Sequence, residues 1–181
     1  SLQKNNLKIR FTKENRLLSI ILLELIMFLH TKLDSRVKPI KVAFIGCGKF
    51  VGMFLAQYNQ LQKIVIDTII DIDIANAKKN CLKSGLTSEI VQKINFVSSL
   101  DEAIDRDVEI FIEATGNPII GTLHAIKIIK KKRHIILVNV EADVICGKYL
   151  ADLAKKNNVI CSMAYGDQPS LILEQIEWAR L

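Results

Sequence analysis

The 181-residue sequence predicts a doubly wound α/β fold built on a mostly parallel, six-stranded sheet. Six short runs rich in valine and isoleucine are apolar on both faces, as strands inside a parallel sheet are. Amphipathic stretches with helical periodicity separate these runs, and this alternation is typical of right-handed β-α-β crossovers. A glycine-rich turn directly follows the first run, where such folds bind ligands.

Strands and helices are expected to alternate from Pro39 onward. The expected strands are 41–45, 64–70, 94–97, 108–114, 134–140 and 159–164. The expected helices lie near 50–62, 74–84, 119–131 and 147–157, with a shorter one near 100–105 and a last one over 170–181. We therefore assign residues 39–181 to one folded domain.

The first 38 residues are expected to form a separate region, a polar stretch followed by an extra N-terminal apolar helix. The apolar run from Leu17 to Leu29 contains one acid, Glu24. It is shorter than the roughly 20 residues that a membrane-spanning helix needs, and no small-residue cleavage site follows it. We expect this helix to be buried against the domain or a second chain; a signal or membrane anchor is the alternative.

The charge balance favours an anionic small ligand over nucleic acid. Lysine and arginine total 25 against 19 acidic residues, a formal net charge of +6. The acids are interleaved with the bases and only 6% of residues are aromatic, so a nucleic-acid partner is not expected. The basic run from Lys130 to Arg133 ends a predicted helix, where cations complement the helix dipole.

The four cysteines, Cys47, Cys81, Cys146 and Cys161, form no C-x-x-C pair and no Cys/His ligand spacing. Zinc-binding and dithiol-redox motifs are therefore not indicated, and we expect no metal site. This cysteine content is also too sparse for a secreted disulfide scaffold. The pattern favours a reducing, cytoplasmic setting without membrane insertion.

The most informative motif is the glycine-rich turn between the first strand and the first helix. Gly46 permits a tight turn, and Gly48, which lacks a Cβ, allows close approach of a pyrophosphate to the helix N-terminus. This is the arrangement of Rossmann-type dinucleotide-binding domains, although Val51 occupies the usual third glycine position and Gly52 follows it. The cofactor-binding candidates here are Gly46, Gly48, Lys49, Phe50 and Gly52.

A second candidate is Asp71, which ends the second strand 25 residues after Gly46. An acid near this offset bonds the adenosine ribose hydroxyls and repels a 2′-phosphate, so NAD is favoured over NADP. The alternative is that Asp71 or Asp73 only caps the following helix. Lys78 and Lys79 are close enough in sequence to favour NADP, but we expect them on a solvated helix face.

Polar residues also follow the fourth, fifth and sixth strands, whose carboxyl ends line the expected crevice. After the fourth strand, Thr115 and Gly116 are candidates for cofactor contact, and helix capping by Asn117 is the competing interpretation. The catalytic candidates after the last two strands are Glu141, Tyr165 and Asp167.

Asp143, like Glu141, follows the fifth expected strand. These groups could orient a substrate or relay a proton; capping and turn formation are the alternative. No role is assigned to the three histidines.

Four motifs carry a family resemblance: Ile45-Gly-Cys-Gly-Lys49, Glu113-Ala-Thr-Gly116, Val138-Asn-Val-Glu-Ala-Asp143 and Ala164-Tyr-Gly-Asp-Gln-Pro169. Through them, residues 40–181 resemble the cofactor-binding domain of homoserine-dehydrogenase-like NAD(P)-dependent oxidoreductases. The similarity is greatest to the 1-deoxy-D-xylulose-5-phosphate reductoisomerase-like branch.

The resemblance implies the cofactor half of a larger, homo-oligomeric enzyme acting on a small polar or phosphorylated substrate. In the family, a catalytic and dimerisation region continues beyond the helix that ends this chain. The chain alone is then expected to bind a dinucleotide without turnover. A non-catalytic dinucleotide-sensing or partner-binding module is the alternative.

Overall fold

A computed structural model describes Leu33, residues 36–164 and residues 171, 172, 175, 176, 179 and 180. The chain divides into a unit of residues 39–171 and a unit of residues 1–38 and 172–181. The apolar helix expected at 17–29 lies outside the described residues. Of the helix expected over 170–181, the six described positions are helical.

The unit of residues 39–171 contains a six-stranded, wholly parallel sheet, which confirms the predicted doubly wound fold. The strand order is β3-β2-β1-β4-β5-β6. The strands are β1 (Ile40–Ile45), β2 (Ile64–Ile70), β3 (Asn95–Val97), β4 (Ile110–Glu113), β5 (His134–Leu137) and β6 (Cys161–Met163). The order reverses between β1 and β4, and ligands bind at such a switch point, outside the strand carboxyl ends.

Five α-helices connect these strands: α1 (Lys49–Gln57), α2 (Ile74–Lys83), α3 (Ser88–Lys93), α4 (Pro118–Lys130) and α5 (Val140–Asn157). Two 3-10 helices, Tyr58–Gln60 and Leu100–Glu102, follow α1 and β3. The side chain of Thr87 starts α3 by accepting a hydrogen bond from the Ile90 N–H. With six residues, α3 is too short to show helical periodicity, so it was missed in the sequence.

The largest correction to the predicted elements concerns β5 and α5. The strand expected to reach residue 140 ends at Leu137, and the helix expected from residue 147 begins at Val140. The cause is Asn139, whose side chain accepts a hydrogen bond from the Ala142 N–H and caps α5.

Smaller differences affect the other elements. The short helix expected at 100–105 is a 3-10 helix, and β3, β4 and β6 are shorter than expected.

Apolar side chains cover both faces of the sheet. On one face, α4, α5 and the 3-10 helix Leu100–Glu102 pack against the strands around Phe111 and Ile135. On the other, α1 and α2 pack around Phe44 and Ile69. Each fully buried side chain of this size contributes about 1.5–3 kcal/mol. Because both faces are covered, the carboxyl edge of the strands is where the sheet can admit a ligand.

Among the residues that the structure describes, no helix has the length and apolar content needed to cross a membrane. The basic run Lys130–Arg133 ends α4, and three of its four side chains are exposed, in agreement with a solvated helix terminus. Lys78 and Lys79 are likewise exposed on α2, with the Lys78 ammonium 5.3 Å from the centre of the Phe96 ring.

Candidate functional site

The turn after β1 can accommodate only glycine at its first position. Gly46 has a φ of +85°, and its N–H donates to the Ile70 carbonyl at 2.8 Å. A Cβ built on Gly46 would lie 2.9 Å from the Ala114 oxygen and 3.1 Å from the Thr115 Cα. The turns after β1 and β4 are therefore in direct backbone contact at the switch point.

Gly48 precedes α1 as its N-cap and is exposed. A Cβ there would meet nothing within 4 Å, so the space in front of the helix N-terminus is open. Lys49 and Phe50 follow, both exposed, and no acid lies in the first helical turn. The free N–H groups and dipole of such a terminus favour an anion, and the Lys49 charge adds to this preference.

The shifted glycine has a packing role that the sequence did not reveal. Val51, at the usual glycine position, is fully buried in the core. A Cβ on Gly52 would lie 3.2 Å from the Ser84 hydroxyl at the end of α2. Gly52 thus allows close packing of α1 against the end of α2, one turn after the glycine-rich loop.

The half-buried Asp71 connects the end of β2 to this loop. Its Oδ2 accepts a hydrogen bond from the Cys47 N–H at 2.7 Å, and its Oδ1 accepts one from the Asp73 N–H at 2.9 Å. Asp73 caps α2 instead, accepting from the Asn76 N–H at 2.9 Å. Both Asp71 oxygens keep a lone pair for a ligand hydroxyl.

A crevice of about 720 Å³ opens along the carboxyl edge of the sheet, within the size range of small-molecule and cofactor sites. Its walls come from the turn after β1, the end of β2, the segment after β3, the turn after β4 and the first turns of α4. Most of the lining surface is apolar and comes from Ile45, Ile70, Ile72, Leu100, Ile120 and Leu123. The polar side chains in the lining are Asp71, Ser98, Ser99, Asp101, Thr115, Asn117, His124 and Lys127. Lys127 and Asp101, both in this lining, form an ion pair with each other.

A buried carboxylate, Glu113, lies beneath this crevice at the end of β4. It is fully buried and accepts hydrogen bonds from the Thr115 N–H, at 3.2 Å, and from the Thr115 hydroxyl. Its Oε1 lies 3.8 Å from Nδ1 of His124. Among the described residues, neither Glu113 Oε2 nor His124 Nδ1 has a hydrogen-bond partner. The side chain therefore orders the turn after β4 from below.

Asn139 orders the same turn from the β5 side. Its Nδ2 donates to the Asn117 carbonyl at 2.8 Å, while its Oδ1 caps α5. A Cβ on Gly121 would lie 2.7 Å from this Nδ2 and 2.8 Å from Glu113 Oε2, so α4 packs closely over both side chains.

Sequence reasoning assigned no role to Glu113 or Asn139. The available signal for Glu113 was an acid at the end of an apolar strand. For Asn139 it was an asparagine followed by acids two and four residues later, as at a helix start.

The structure brings most of the predicted cofactor residues together. Gly46, Gly48, Asp71 and Thr115 line the crevice. Gly116 follows Thr115 with a φ of +70°, and Lys49 and Phe50 begin α1 beside the crevice.

The catalytic candidates are placed less completely. Glu141 is exposed in the first turn of α5, outside the described crevice lining. Asp143 is half-buried in the same turn; burial raises the pKa of the Cys161 thiol to about 11, and the charge of Asp143 adds to the shift. Tyr165 and Asp167 lie outside the described residues. No three His, Cys, Asp or Glu side chains in the described part of the chain are arranged to hold a metal ion.

No protein-family model matches the chain, and no curated protein matches its sequence. Solved structures do match its fold. S. aureus homoserine dehydrogenase is 21% identical with a TM-score of 0.56, over 70% of this chain and 32% of that chain. The WlbA dehydrogenase of Bordetella pertussis, in complex with NADH and UDP-GlcNAcA, is 16% identical with a TM-score of 0.58, over 79% of this chain and 43% of that one.

A third match is biliverdin reductase of Synechocystis sp. PCC 6803, in complex with biliverdin and NADP+. It is 17% identical with a TM-score of 0.57, over 71% of this chain and 38% of that chain. The chain thus has the Rossmann-type fold found in these reductases and dehydrogenases. It spans less than half of the length of each.

Proposed function

We propose that residues 39–181 are the NAD(P)-binding domain of an oxidoreductase similar to homoserine dehydrogenase and to 1-deoxy-D-xylulose-5-phosphate reductoisomerase-like enzymes. The observation that carries this proposal is the glycine turn at the switch point, with Asp71 hydrogen-bonded to its Cys47 N–H. The open space at Gly48, a helix N-terminus and an acid at the end of β2 meet there, as dinucleotide binding requires.

Each part of the crevice suits one part of the cofactor. The pyrophosphate would lie against Gly46 and Gly48 at the α1 N-terminus, with Lys49 and Phe50 beside it. Asp71 would accept hydrogen bonds from the ribose hydroxyls, which favours NAD because a 2′-phosphate would meet its negative charge.

The apolar wall of Leu100, Ile120 and Leu123 would take the adenine ring. Thr115 and Gly116, after β4, would contact the nicotinamide half.

Hydride transfer requires more than this sheet. The cofactor carbon and the substrate carbon must be held about 3–3.5 Å apart, and a dinucleotide-binding sheet supplies one wall of that cleft. We propose that a further region of a larger enzyme supplies the other wall for a small polar or phosphorylated substrate. The chain alone would then bind the dinucleotide without turnover, and Glu141, Tyr165 and Asp167 stay candidates for the reacting centre.

The wider setting follows from the same proposal. We propose a cytoplasmic homo-oligomer without a nucleic-acid or membrane partner, in which the apolar segment 17–29 lies against the domain or a second chain. Deleting residues 1–34 and measuring the sedimentation coefficient tests the interface. A smaller oligomer supports a contact with a second chain, and an unchanged oligomeric state contradicts that contact.

Isothermal titration of the intact chain with NAD and NADP tests the central proposal. Asp71→Ala should weaken NAD binding by about 1–3 kcal/mol, and NADP binding less or not at all, because the lost hydrogen bonds serve only the unphosphorylated ribose. Asp73→Ala is the matched control. It should cost about 1 kcal/mol of stability through the lost cap and leave both affinities unchanged.

Two outcomes would contradict the proposal. Equal losses for both cofactors in Asp71→Ala would make this acid a structural group only. Absence of binding of either cofactor at millimolar concentration would remove dinucleotide binding altogether.

A further inference from the structure

Two buried thiols meet beneath the glycine-rich turn. Cys47, within the turn, and Cys81, on α2, have their Sγ atoms 3.9 Å apart. Their exposures are 2% and 0%, and both are free thiols. They are 34 residues apart in sequence, so it is the fold that brings them together.

Cys47 also has backbone contacts with the proposed cofactor site. Its N–H donates to Asp71 Oδ2 at 2.7 Å, and its carbonyl accepts from Asn80 Nδ2 at 3.0 Å. Its thiol lies 3.7 Å from the Ala77 carbonyl of α2. A displacement of Cys47 toward α2 would therefore disturb the hydrogen bond that orients Asp71.

We propose that Cys47 and Cys81 form a reversible disulfide bond that weakens dinucleotide binding. The proposal that the bond forms rests only on the short distance between the two sulfur atoms. Its consequence for binding rests on the proposed function.

The bond requires movement of the turn. A disulfide holds its sulfur atoms about 2.05 Å apart, roughly half of the present separation. Glycine on each side of Cys47 gives the backbone freedom to move. The approach of Cys47 to α2 would draw its N–H away from Asp71 and reshape the opening at Gly46 and Gly48.

The two thiols differ in acidity, which sets their roles. The hydrogen bond between the two thiols holds the pKa of Cys81 below its usual value, although burial opposes this. The same hydrogen bond, with burial, raises the pKa of Cys47. Because the thiolate is the nucleophile, the lowered pKa favours Cys81 as the attacking sulfur.

Hydrogen peroxide is a sufficient oxidant. The Cys81 thiolate attacks one peroxide oxygen, the O–O bond breaks, and hydroxide leaves, giving a sulfenic acid. The Cys47 sulfur then attacks the Cys81 sulfur, forming the S–S bond; the sulfenic oxygen leaves with the Cys47 proton. In total, two thiols and one peroxide give one disulfide and two waters, and a dithiol reagent reverses the oxidation.

The test uses the intact chain, oxidised with stoichiometric peroxide. Peptide mapping under non-reducing conditions should find Cys47 linked to Cys81, and intact mass should show the loss of two hydrogen atoms. Titration with NAD should show affinity about tenfold lower or more, because a hydrogen bond to a charged group is lost, with recovery after dithiothreitol.

Cys81→Ala should remove both the link and the effect of peroxide. Cys146→Ala is the matched control, since Cys146 lies on α5 away from the turn, and it should behave as the wild type.

The outcomes separate this inference from the proposed function. A chain that binds NAD but forms no Cys47–Cys81 link, or is oxidised at other cysteines, overturns the inference alone. A mapped link with unchanged affinity overturns the effect on binding. Failure of the reduced chain to bind NAD overturns the proposed function and the switch with it, while the mapped link still establishes the bond.

Discussion

The turns after β1 and β4 touch each other at the switch point but are stabilised in opposite ways. The turn after β1 requires a residue without a side chain, because a Cβ on Gly46 would clash with the Ala114 backbone. Its hydrogen bonds to side chains both use the backbone of Cys47: the N–H donates to Asp71 at the end of β2, and the carbonyl accepts from Asn80 of α2.

The turn after β4 depends instead on buried polar side chains. Glu113 accepts hydrogen bonds from Thr115 from below, and Asn139 donates to the Asn117 carbonyl from the side. The comparison shows that the turn after β1 is determined by the spacing of its glycines, whereas the turn after β4 is determined by polar side chains placed inside the core. Substitutions in the two turns should therefore have different costs.

The largest effect is expected for Gly46→Ala. A left-handed backbone conformation costs an alanine about 1–2 kcal/mol, and overpacking against Ala114 and Thr115 adds about 1–3 kcal/mol, or about 3 kcal/mol in total. Urea unfolding measures this loss. Gly85→Ala is the matched control, with a φ of +94° and open space around its Cβ, so it should show the backbone cost only. Equal losses in both variants would contradict the close contact between the turns.

Thr115→Val tests the buried carboxylate in the other turn. Removing the hydroxyl leaves Glu113 with one donor fewer in a fully buried position, which should cost about 1–3 kcal/mol of unfolding free energy. Thr122→Val is the control, because its hydroxyl donates only to the Pro118 carbonyl of the preceding helical turn. That variant should change stability by about 0.5 kcal/mol or less. If the two variants cost the same, Glu113 does not order this turn.

Gly121→Ala sharpens the same comparison from the α4 side. Alanine gains about 1 kcal/mol in helix propensity, but its Cβ would overlap Asn139 and Glu113, at a cost of about 1–3 kcal/mol. We expect a net loss of about 1 kcal/mol, measured by denaturant unfolding.

Gly147→Ala in α5 is the control for this substitution. There the Cβ meets only the side chain of Asp143, which can rotate away. Gly147→Ala should therefore be neutral or stabilising. If it lost as much stability as Gly121→Ala, the cost at Gly121 would come from placing alanine in a helix and not from overlap with Glu113 and Asn139.

The smallest effect is expected for a pair away from both turns, Asp67 and Arg106. Burial alone would raise the pKa of Asp67, but hydrogen bonds from Arg106 and Thr68 and the Arg106 charge hold it below its usual value of 3.8. The unfolded chain then binds this proton more tightly, so the stabilisation is complete above about pH 5 and is lost as the pH falls below 3.8.

Unfolding of wild type and Asp67→Asn at several pH values measures this contribution. The difference should be about 1 kcal/mol or less near neutral pH, because the Arg106 side chain is exposed to solvent, and it should vanish in acid. If the difference in unfolding free energy between the two proteins grew as the pH fell, the ion pair would not be what stabilises the folded chain.

The two turns also differ in how far the sequence predicts them. The glycine spacing after β1 predicts a tight turn there, and the positive φ of Gly46 confirms it. In the turn after β4, capping by Asn117 was also predictable, and its side chain does cap α4. Asn139 follows a β-rich run, and only the packing of α5 shows that it caps a helix. The approach of His124 to Glu113 depends on how α4 packs on β4, which no short-range pattern records.

Ile72 gives the site a position that can change freely. Ile72 lies between Asp71, which accepts a hydrogen bond from the glycine-rich turn, and Asp73, which caps α2. Its own side chain is 96% exposed. A substitution there disturbs neither the core nor the cap, so its folding cost is close to nothing. On the proposed function, an arginine at this position would bring a cation beside the ribose. Cofactor preference could therefore evolve one residue away from the group that holds the loop, without passing through an unstable intermediate.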